Sequence, residues 1–355
     1  MKARYAALLL LTIFLSLAGC GGKTPSGETS IVIAFAGDTF FDRRLLPEIK
    51  NGGDLFRDVR IAAADSDFFI INLETPISSG GTPYDKPFVF RASPDKAGVL
   101  SNAGVNIVAL ANNHMMDYGV EAILDTREIL SKYGIAFTGA GTNLAQASQP
   151  VILEKNGIKI GFLSFGLNGP LDLMDATPKR GGTAPIQLSN ILPILKALRP
   201  QVDFLIVALH DGEEYFETPI LRVLTNYRAI IDAGADLIIG HHPHILEGIE
   251  KRANGVIFYS MGNLLFDQKY AATVQTMIGK VKVTKQAQKI TAEYFVIPLV
   301  RNTSTFVPEF AKEKKALEIV NQLKKISIPL GGIQPVFQKL TNKEYITYSV
   351  KWTNG

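Results

Sequence analysis

The sequence predicts an α/β protein in which buried strands alternate with helices. Apolar runs of strand length recur along the chain, and they are bounded by Gly, Pro, Asn or Asp. Several segments between them carry apolar residues three or four positions apart, as amphipathic helices do. Polar and histidine residues directly follow several of the apolar runs. Because ligands bind beyond the carboxyl ends of strands in open α/β sheets, these positions are candidates for a functional site.

The composition excludes several classes of protein. With 355 residues, of which 46% are apolar and 20% charged, the chain can bury a sizeable core in one large or two modest domains. It is therefore not a disordered protein. The formal net charge is only +4 and no block of Lys and Arg stands out, so nucleic acid is not an expected partner. A weak attraction to an anionic polymer or a membrane surface is compatible with this charge.

The N-terminus is typical of an export signal. Lys2 and Arg4 precede an apolar run that is shorter than the roughly 20 residues needed to span a bilayer. The sequence Leu17-Ala18-Gly19-Cys20 resembles a bacterial lipobox, which implies removal of residues 1–19 as a lipoprotein signal peptide and lipidation of the Cys20 thiol. An ordinary signal peptide with an incidental cysteine is the alternative.

A lipid on Cys20 predicts an exported protein, anchored to the outer face of the cytoplasmic membrane or to the outer membrane. Two or more acyl chains on one residue anchor a protein stably without a spanning helix. Residues 20–30, rich in Gly, Ser and Thr, are predicted to form a flexible tether. Since Cys20 is the only cysteine of the sequence, the mature domain would have no disulfide bond and no thiolate metal ligand.

The first half of the chain repeats a unit of strand, polar loop and helix. The pattern predicts strands at residues 31–36, 68–71, 105–110 and 135–138 and helices at residues 94–102 and 120–133. Asn156-Gly157 lies between two further apolar runs and predicts a β-hairpin. Residues 166–186 are predicted to be a loop, with the capacity to form a lid or a substrate-facing insertion.

The second half continues the alternation and then changes character. It predicts helices at residues 187–198 and 219–233, strands at 204–209 and 235–239, and a hairpin that turns at 253–255. Beyond residue 270, alternating polar and apolar residues predict antiparallel strands at 277–286 and 289–299. Residues 312–355 are predicted to be a helix and a terminal strand in an accessory layer. The site is therefore expected within residues 31–270, and residues 271–355 complete or cap that domain.

Five predicted strands end in polar side chains, and all five histidines of the sequence lie at such ends. In chain order, the polar residues are Asp38, Asn72 with Glu74, Asn113 with His114, His210, and His241 with His242 and His244. We expect them to converge on one rim of a sheet. Taken singly, each has a structural alternative, such as a helix N-cap or turn for Asp38 and a hydrogen-bonding role for a lone histidine.

These side chains predict a metal site. Carboxylate, carboxamide and imidazole ligands without thiolate favour Mn, Fe or Zn. Six or more such groups exceed what one tetrahedral ion needs, and they would suit two divalent ions about 3.5–4 Å apart. The sequence does not distinguish among these metals.

Six motifs in order resemble those of a known family. They are Gly37-Asp38, Asn72-Leu73-Glu74, Ala111-Asn112-Asn113-His114 with Asp117-Tyr118-Gly119, His210 to Tyr215, Gly240-His241-His242-Pro243-His244, and Tyr259-Ser260-Met261-Gly262-Asn263. Over roughly residues 31–268 the sequence resembles the CapA family of poly-γ-glutamate capsule synthesis proteins. The resemblance implies a calcineurin-like metallophosphoesterase fold, an α/β/β/α layered β-sandwich flanked by helices, with a C-terminal accessory β/α segment.

The resemblance also implies roles for individual residues. The implied metal ligands are Asp38, Glu74 in the bridging position, Asn113, His210, His242 and His244. His114 corresponds to the histidine that protonates a leaving group, and Glu214 is predicted to be the partner that fixes an imidazole tautomer. His241 is predicted to support the ligands or the structure. The predicted substrate-binding residues are Lys86, Arg91, Asn72 and Asn263.

Two positions differ from the phosphoesterase pattern. Phe40 occupies the place of a histidine two residues after the first aspartate, and Glu74 is longer by a methylene than the usual bridging aspartate. Both differences fall on one side of the expected metal pair.

The expected function is that of a surface-anchored CapA-like protein that acts on poly-γ-glutamate or a related anionic envelope polymer by metal-assisted hydrolysis or transfer. The expected partners are this polymer, the membrane through the lipid anchor, and polymer synthase subunits. One alternative is a non-catalytic component that binds the polymer or the synthase and assists export or anchoring. The other is a metal-dependent phosphoesterase, which follows from the fold by analogy alone.

Overall fold

A computed structural model describes residues 27–45, 52–167, 174–331, 333–341 and 344–353. The predicted signal peptide 1–19, Cys20 and the tether up to residue 26 lie outside these ranges, as do residues 168–173 of the predicted loop. Within the described ranges, no helix has both the length and the apolar character needed to cross a membrane.

The strands account for most of the regular structure. In chain order they are β1 (Thr29–Thr39), β2 (Phe68–Leu73), β3 (Ile107–Ala109), β4 (Ala136–Thr138), β5 (Ala140–Gly141), β6 (Val151–Lys155), β7 (Ile158–Gly166), β8 (Gly182–Thr183), β9 (Phe204–His210), β10 (Leu237–His241), β11 (Ile249–Arg252), β12 (Gly255–Phe258), β13 (Asn263–Leu265), β14 (Gln275–Gln286), β15 (Lys289–Arg301), β16 (Pro308–Phe310), β17 (Gln334–Thr341) and β18 (Ile346–Thr353).

The α-helices lie between the strands and on the outside of the sheets. They are α1 (Arg57–Ala63), α2 (Lys96–Asn102), α3 (Gly119–Lys132), α4 (Leu144–Ala147), α5 (Leu188–Leu198), α6 (Leu221–Asp232) and α7 (Glu313–Ser327).

Two large sheets form the body of the protein. The first has ten strands in the order β17-β18-β15-β14-β1-β2-β3-β4, with β13 beside β1 and β16 beside β15. The second has six strands in the order β11-β12-β10-β9-β7-β6. In each sheet the central strands are parallel, namely β1 to β4 in the first and β7, β9, β10 and β12 in the second. Their carboxyl ends can therefore carry side chains to a common edge.

Side chains alternate between two faces along the central strands, which builds a layered core. Ile33 and Phe35 of β1 pack with Phe162 and Ile206 of the second sheet, so this cluster lies between the sheets. The intervening residue Ala34 packs in a different cluster, together with residues of α2 and α3. The outer face of the second sheet packs on α5 and α6. The layers are helix, sheet, sheet, helix, as the sequence predicted.

Most predicted elements of the first 300 residues are present within a few residues of their expected ends. In the Asn156-Gly157 hairpin both residues have positive φ, 53° and 74°, as a two-residue turn of this type requires. The histidines come from both stacked sheets, so the rim on which they converge is shared by the two sheets. The sequence interpretation also missed α1, α4, β5, β8, β13, β16 and β17.

The C-terminal region is part of the first sheet, not a separate layer. β14 pairs antiparallel with β1 from Thr29 to Ala36, and β15 pairs with β14 along its length. Met277 and Val281 of β14 lie fully buried in the cluster between the sheets. Residues 271–301 therefore complete the core that the first 270 residues begin.

Candidate metal centre

The site begins at the carboxyl end of β1. In the parallel register Asp38 lies opposite Asn72 of β2 on one side and Asn263 of β13 on the other. The Asn72 side-chain amide donates to Asp38 Oδ1 at 2.9 Å and to Glu74 Oε2 at 3.2 Å. All four side chains are fully buried. Strand pairing alone thus places two carboxylates within reach of one amide group.

The second sheet supplies the histidines from the opposite side. His210 at the end of β9 lies opposite His241 at the end of β10. The His241 Nδ1–H group donates to Asp38 Oδ1 at 3.1 Å, and the His242 backbone N–H donates to Asp38 Oδ2 at 3.2 Å. Asp38 therefore links the edges of the two sheets.

Two glycines let neighbouring strand ends pack closely within each sheet. A β-carbon on Gly37 would lie 1.8 Å from the carbonyl oxygen of Gly262, and one on Gly240 would lie 1.9 Å from that of Tyr259. Both distances are shorter than any non-bonded contact allows. Neither position therefore has room for a side chain. Each of the two glycines immediately precedes a site residue.

The loop after β10 has an unusual backbone. His242 and His244 both have positive φ, 98° and 59°, a region that residues other than glycine occupy infrequently. Such conformations persist where the surrounding structure holds them, and they concentrate at functional sites. In this loop the His242 ring lies against His210, and the His244 ring faces Asp38 and Glu74.

A compact set of metal-ligating atoms results. Asp38, Glu74 and His210 each present a ligand atom within 4.8 Å of the other two. His210 Nε2 lies 2.9 Å from Asn113 Oδ1, 3.2 Å from His242 Nδ1 and 3.7 Å from Glu74 Oε1. His244 lies 3.4 Å from Asp38 Oδ2 through Nδ1 and 3.9 Å from Glu74 Oε1 through Nε2. The structure brings together all six residues that the sequence assigned to metal binding.

These donors fit a divalent cation. Glu74 Oε1 is buried and has no hydrogen-bond partner among the described residues, which would be costly for a carboxylate without a cation. Imidazole nitrogens of His210 and His244 face it at 3.7 and 3.9 Å. The donor set is oxygen and nitrogen without sulfur, which suits a transition-metal ion such as Mn, Fe or Zn.

The two carboxyl groups differ in proton affinity. Burial by itself raises the pKa of Asp38, but the hydrogen bonds from His241 and His244 outweigh it and hold that pKa well below its usual value. Burial, followed by the charge of Asp38, raises the pKa of Glu74 well above its usual value. One carboxylate is thus balanced by imidazoles, whereas the other lacks a compensating charge.

Three imidazoles of the site favour the neutral form. Burial lowers the pKa of His210 and His114 well below the ordinary value and lowers that of His242 to about 4. Neutral imidazole is the form that binds metal ions. The protein environment therefore holds these side chains in the form required of ligands.

His114 belongs to a separate group beside the ligand atoms. Its Nδ1 lies 2.8 Å from Asp117 Oδ2, and its ring stacks on Phe90 with centroids 4.0 Å apart. Lys86 Nζ lies 2.5 Å from Asp117 Oδ1 and donates to the Asn113 carbonyl at 2.7 Å. Burial raises the pKa of Asp117 to about 7, and the Lys86 charge acts in the opposite direction. Asp117 orients His114 and leaves Nε2 as the atom available for proton transfer.

A cavity of about 620 Å³ opens beside these residues. His114 and His244 form part of its wall, together with Arg43, Arg44 and the aromatic ring of Phe266. The Arg43 guanidinium lies 4.5 Å from the centre of the Phe90 ring and forms an ion pair with Asp267. The cavity therefore opens the candidate ligand group to solvent along a wall that carries both aromatic and basic side chains.

The four predicted substrate-binding residues do not line the cavity. Arg91 packs over the Tyr118 ring at 4.2 Å and donates to the Gly80 carbonyl, so it does not face the cavity. Lys86 is engaged by Asp117. Asn72 and Asn263 are fully buried and contact Asp38 and His244 respectively. Their short-range contacts are with protein groups, because polar side chains at buried strand ends must be satisfied internally.

Glu214 also differs from its predicted position. It is exposed at the cavity, and no hydrogen bond joins it to an imidazole among the described residues. The carboxylate next to His114 is Asp117. This residue belongs to one of the six motifs, but the sequence indicated no role for it.

Three other contributors were missed. Asn112 donates to Asn72 Oδ1 at 3.1 Å and to the Leu73 carbonyl at 2.8 Å, which fixes the orientation of the Asn72 amide. Arg43 and Arg44 line the cavity. The pair of asparagines before His114 was a sequence signal for Asn112. No local signal marked the two arginines, because exposed basic residues are common.

Phe40 fills the place where a phosphoesterase histidine was expected. Its buried ring stacks on Phe266 with centroids 4.2 Å apart and lies 5.1 Å from Phe90. This side of the site is therefore an aromatic wall without a ligand atom from that position.

The layer order of helix, sheet, sheet and helix is that of a metallophosphoesterase-like fold. The protein is similar to a solved putative 5'-nucleotidase from Staphylococcus aureus, with a TM-score of 0.50 and 14% identity over 84% of this chain and 58% of that chain. At this identity the likeness concerns the fold alone, and the chain spans little more than half of that nucleotidase.

Sequence comparison then gives the family. Residues 32–268 match the family described as bacterial capsule synthesis protein PGA_cap, and the chain belongs to this family. It is 31% identical over 311 residues to the PGA biosynthesis protein CapA of Bacillus subtilis (strain 168), which is 86% of this chain and 80% of that protein. It is 30% identical over 282 residues to the capsule biosynthesis protein CapA of Bacillus anthracis, or 76% of this chain and 67% of that protein. The predicted family is confirmed.

Proposed function

We propose that this CapA-like protein is a metal-dependent hydrolase or transferase that acts on poly-γ-glutamate or a related anionic polymer of the cell envelope. The observation that carries the proposal is the buried group Asp38, Glu74 and His210, whose ligand atoms lie within 4.8 Å of one another beside a cavity. The names of the two Bacillus relatives supply the polymer class. The anionic polymer also suits the basic side chains of the cavity wall.

The chain's own residues would divide the chemistry among them. Asp38, Glu74 and His210, with Asn113, His242 and His244, would hold the divalent ion or ions. A bound cation would act as a Lewis acid on the scissile carbonyl or phosphoryl group and make water a stronger nucleophile. His114, neutral and with its Nδ1–H towards Asp117, would accept a proton at Nε2 from the attacking water and pass it to the leaving group, and Asp117 would keep its ring oriented.

Metal binding by the full-length protein is the first test. Titration calorimetry with Mn²⁺ and Zn²⁺ should show binding to the wild type. Binding to Asp38→Ala should be at least about tenfold weaker, because Asp38 contacts donor groups from both sheets. Asp232→Ala is the matched control, since this carboxylate is half exposed at the end of α6 and pairs with Arg252. Absence of metal in the wild type would defeat the enzyme proposal.

Activity assays distinguish the remaining alternatives. Polymer length is measured by gel electrophoresis after incubation with γ-linked polyglutamate, and the proposal expects a change in length that is lost in Asp38→Ala. Metal binding without any change in the polymer would favour the non-catalytic polymer-binding or export component. Hydrolysis of a generic phosphate ester that depends on Asp38, with no action on the polymer, would favour the phosphoesterase.

We further propose that the protein is exported and anchored through lipidated Cys20, on the sequence pattern alone. Mass spectrometry of the mature protein should find an acylated Cys20 as the first residue. Cys20→Ser should leave the protein outside the membrane fraction or unprocessed. An unmodified mature N-terminus elsewhere would defeat the lipoprotein assignment.

A further inference from the structure

One arginine of the cavity wall is held among aromatic rings. Arg43 follows shortly after β1, and its guanidinium carbon lies 4.5 Å from the centre of the Phe90 ring, 5.3 Å from that of Phe40 and 5.8 Å from that of Phe88. A guanidinium group stacks readily on aromatic faces because it is planar and weakly hydrated. The three rings therefore exclude part of the water around this charge, although 35% of the Arg43 side chain remains exposed at the cavity.

A buried carboxylate holds the same guanidinium group at one nitrogen. Arg43 Nη2 forms an ion pair with Asp267, whose side chain is only 4% exposed. Among the described residues, the Nη1 and Nε groups of Arg43 make no hydrogen bond. A guanidinium group carries five N–H donors in a fixed fork. Most of these donors are therefore available to a ligand in the cavity.

The segment that carries Asp267 is itself fixed. Arg301, at the end of β15, is 2% exposed and donates to the carbonyl of Phe266 and, at 2.9 Å, to that of Gln268. These two residues lie on either side of Asp267 in the chain. Because the backbone is held on both sides, Asp267 has a defined position, and it gives the guanidinium of Arg43 a defined position in turn.

Arg43 and His114 contact the same aromatic ring. The His114 ring stacks on Phe90 with centroids 4.0 Å apart, and the Arg43 guanidinium lies over that ring as well. Both side chains line the cavity. A substrate group that exchanges a proton with His114 would therefore have the guanidinium group as a close neighbour.

The chemistry of a γ-linked glutamate chain suits this arrangement. In such a chain the amide nitrogen and a carboxylate are bound to the same carbon atom. On hydrolysis the water oxygen bonds to the carbonyl carbon, and the C–N bond breaks. The nitrogen leaves with the bonding electron pair and with the proton that His114 took from the water. The carboxylate beside the leaving nitrogen can accept two parallel N–H bonds from a guanidinium group, an arrangement that is among the strongest charge-assisted hydrogen bonds.

We propose that Arg43 determines the specificity of the cavity by binding the carboxylate on the carbon atom that bears the leaving nitrogen of a γ-linked glutamate chain. Asp267 is its positioning residue. The proposal rests on the proposed polymer function and adds a selection among chains. An α-linked chain carries its carboxylates at the ends of the side chains, and an amidated chain has none, so both lack the group that Arg43 binds.

Binding of a defined oligomer to the full-length protein tests the proposal. Fluorescently labelled γ-linked pentaglutamate, and the same oligomer with its α-carboxylates converted to amides, are titrated by fluorescence anisotropy with and without Mn²⁺. Arg43→Gln should bind the acid oligomer about 10–100-fold more weakly than the wild type, as for loss of a hydrogen bond to a charged group. It should bind the amide oligomer as the wild type does. Arg43→Lys keeps the charge without the fork and should recover part of the affinity.

Arg252→Gln is the matched control. The Arg252 side chain is 38% exposed, close to the 35% of Arg43, and it also forms an ion pair with a carboxylate, that of Asp232. It does not line the cavity. This variant should bind both oligomers with the affinity of the wild type.

Two results would overturn the proposal. One is equal affinity of the wild type for the acid and the amide oligomer, a comparison that needs no variant and decides the matter even if Arg43→Gln fails to fold. The other is an equal loss of affinity for both oligomers in Arg43→Gln, which would show that Arg43 only maintains the shape of the cavity.

Failure of the proposed function gives a different result. A protein that prefers the acid oligomer through Arg43 but never shortens the polymer would refute the enzyme and retain the recognition of the carboxylate. A protein that shortens the polymer and does not distinguish the two oligomers would retain the enzyme and refute the role of Arg43.

Discussion

At the scale of single residues, the site contains two neighbouring carboxyl groups whose pKa values are shifted in opposite directions. Imidazole donors keep Asp38 ionised, whereas burial favours the proton on Glu74. Pairs of acidic groups whose surroundings separate their pKa values are typical of sites with divided roles. A cation would compensate the second carboxylate, which agrees with its unpartnered oxygen atom.

A third carboxyl group, Glu247, predicts a pH dependence of stability. It is 1% exposed, its Oε2 has no partner among the described residues, and burial together with the charge of Asp211 raises its pKa from 4.5 to about 8. Below pH 4.5 both the folded and the unfolded state bear the proton. Between 4.5 and about 8 the unfolded state loses it first, so the free energy of unfolding falls as pH rises, by up to about 4 kcal/mol.

Denaturant unfolding at a series of pH values checks this expectation. Glu247→Gln keeps the shape of the side chain and cannot ionise, so its stability should decline less than that of the wild type over this interval. Parallel curves for the two proteins would show that another group causes the decline.

At the scale of secondary-structure elements, the site depends on how closely strand ends approach each other. β1 and β10 each have a glycine just before the site residues, and each packs on a backbone carbonyl. The loop from His241 to His244 follows directly. Its position is therefore determined by backbone contact, without an intervening side chain.

Gly240→Ala should displace this loop. The new methyl group would lie 1.9 Å from the Tyr259 carbonyl oxygen, so the strand must move. We expect a loss of at least about 2 kcal/mol in the free energy of unfolding, as for an overpacked core, and at least about tenfold weaker metal binding. Chemical denaturation and metal titration measure the two effects. Gly27→Ala is the control, since a β-carbon there has no atom within 4 Å, and equal behaviour of the two variants would contradict the prediction.

At the scale of the whole molecule, two sheets must stack before any site exists. Carboxylates come from the first sheet and most of the histidines from the second, so neither sheet contains the ligand group alone. The strands after residue 270 take part in this stacking through β14, which covers β1. The C-terminal region is thus a requirement for the site, although it contributes none of the ligand residues.

A chain that ends at residue 270 should fail to fold. It would lose β14 and β15 and expose the edge of β1 and the apolar cluster between the sheets, which favours aggregation. Solubility and the cooperativity of thermal unfolding by circular dichroism are the measurements. A chain that begins at residue 27 keeps both sheets and is expected to unfold cooperatively. A soluble, cooperatively folded product ending at 270 would contradict the prediction.

Much of the fold could be predicted because its signals are local. Apolar runs such as Phe68 to Ile71, the Asn156-Gly157 turn and the change of pattern after residue 270 each report on neighbouring residues. β17 escaped prediction because it lies at the edge of its sheet, where polar and apolar residues are mixed and Val336 remains 39% exposed. Edge strands bury too little surface to show a clear pattern.

The sequence by itself determined the chemistry of the site: which carboxylates, amides and imidazoles follow which strands. Only the tertiary structure decided that His210 and His244 face Asp38 and Glu74 across two sheets, because stacking joins residues far apart in the chain. It also decided that Lys86 turns inward to Asp117 whereas Arg91 turns away. The direction of a long side chain on a loop depends on partners that local sequence does not identify.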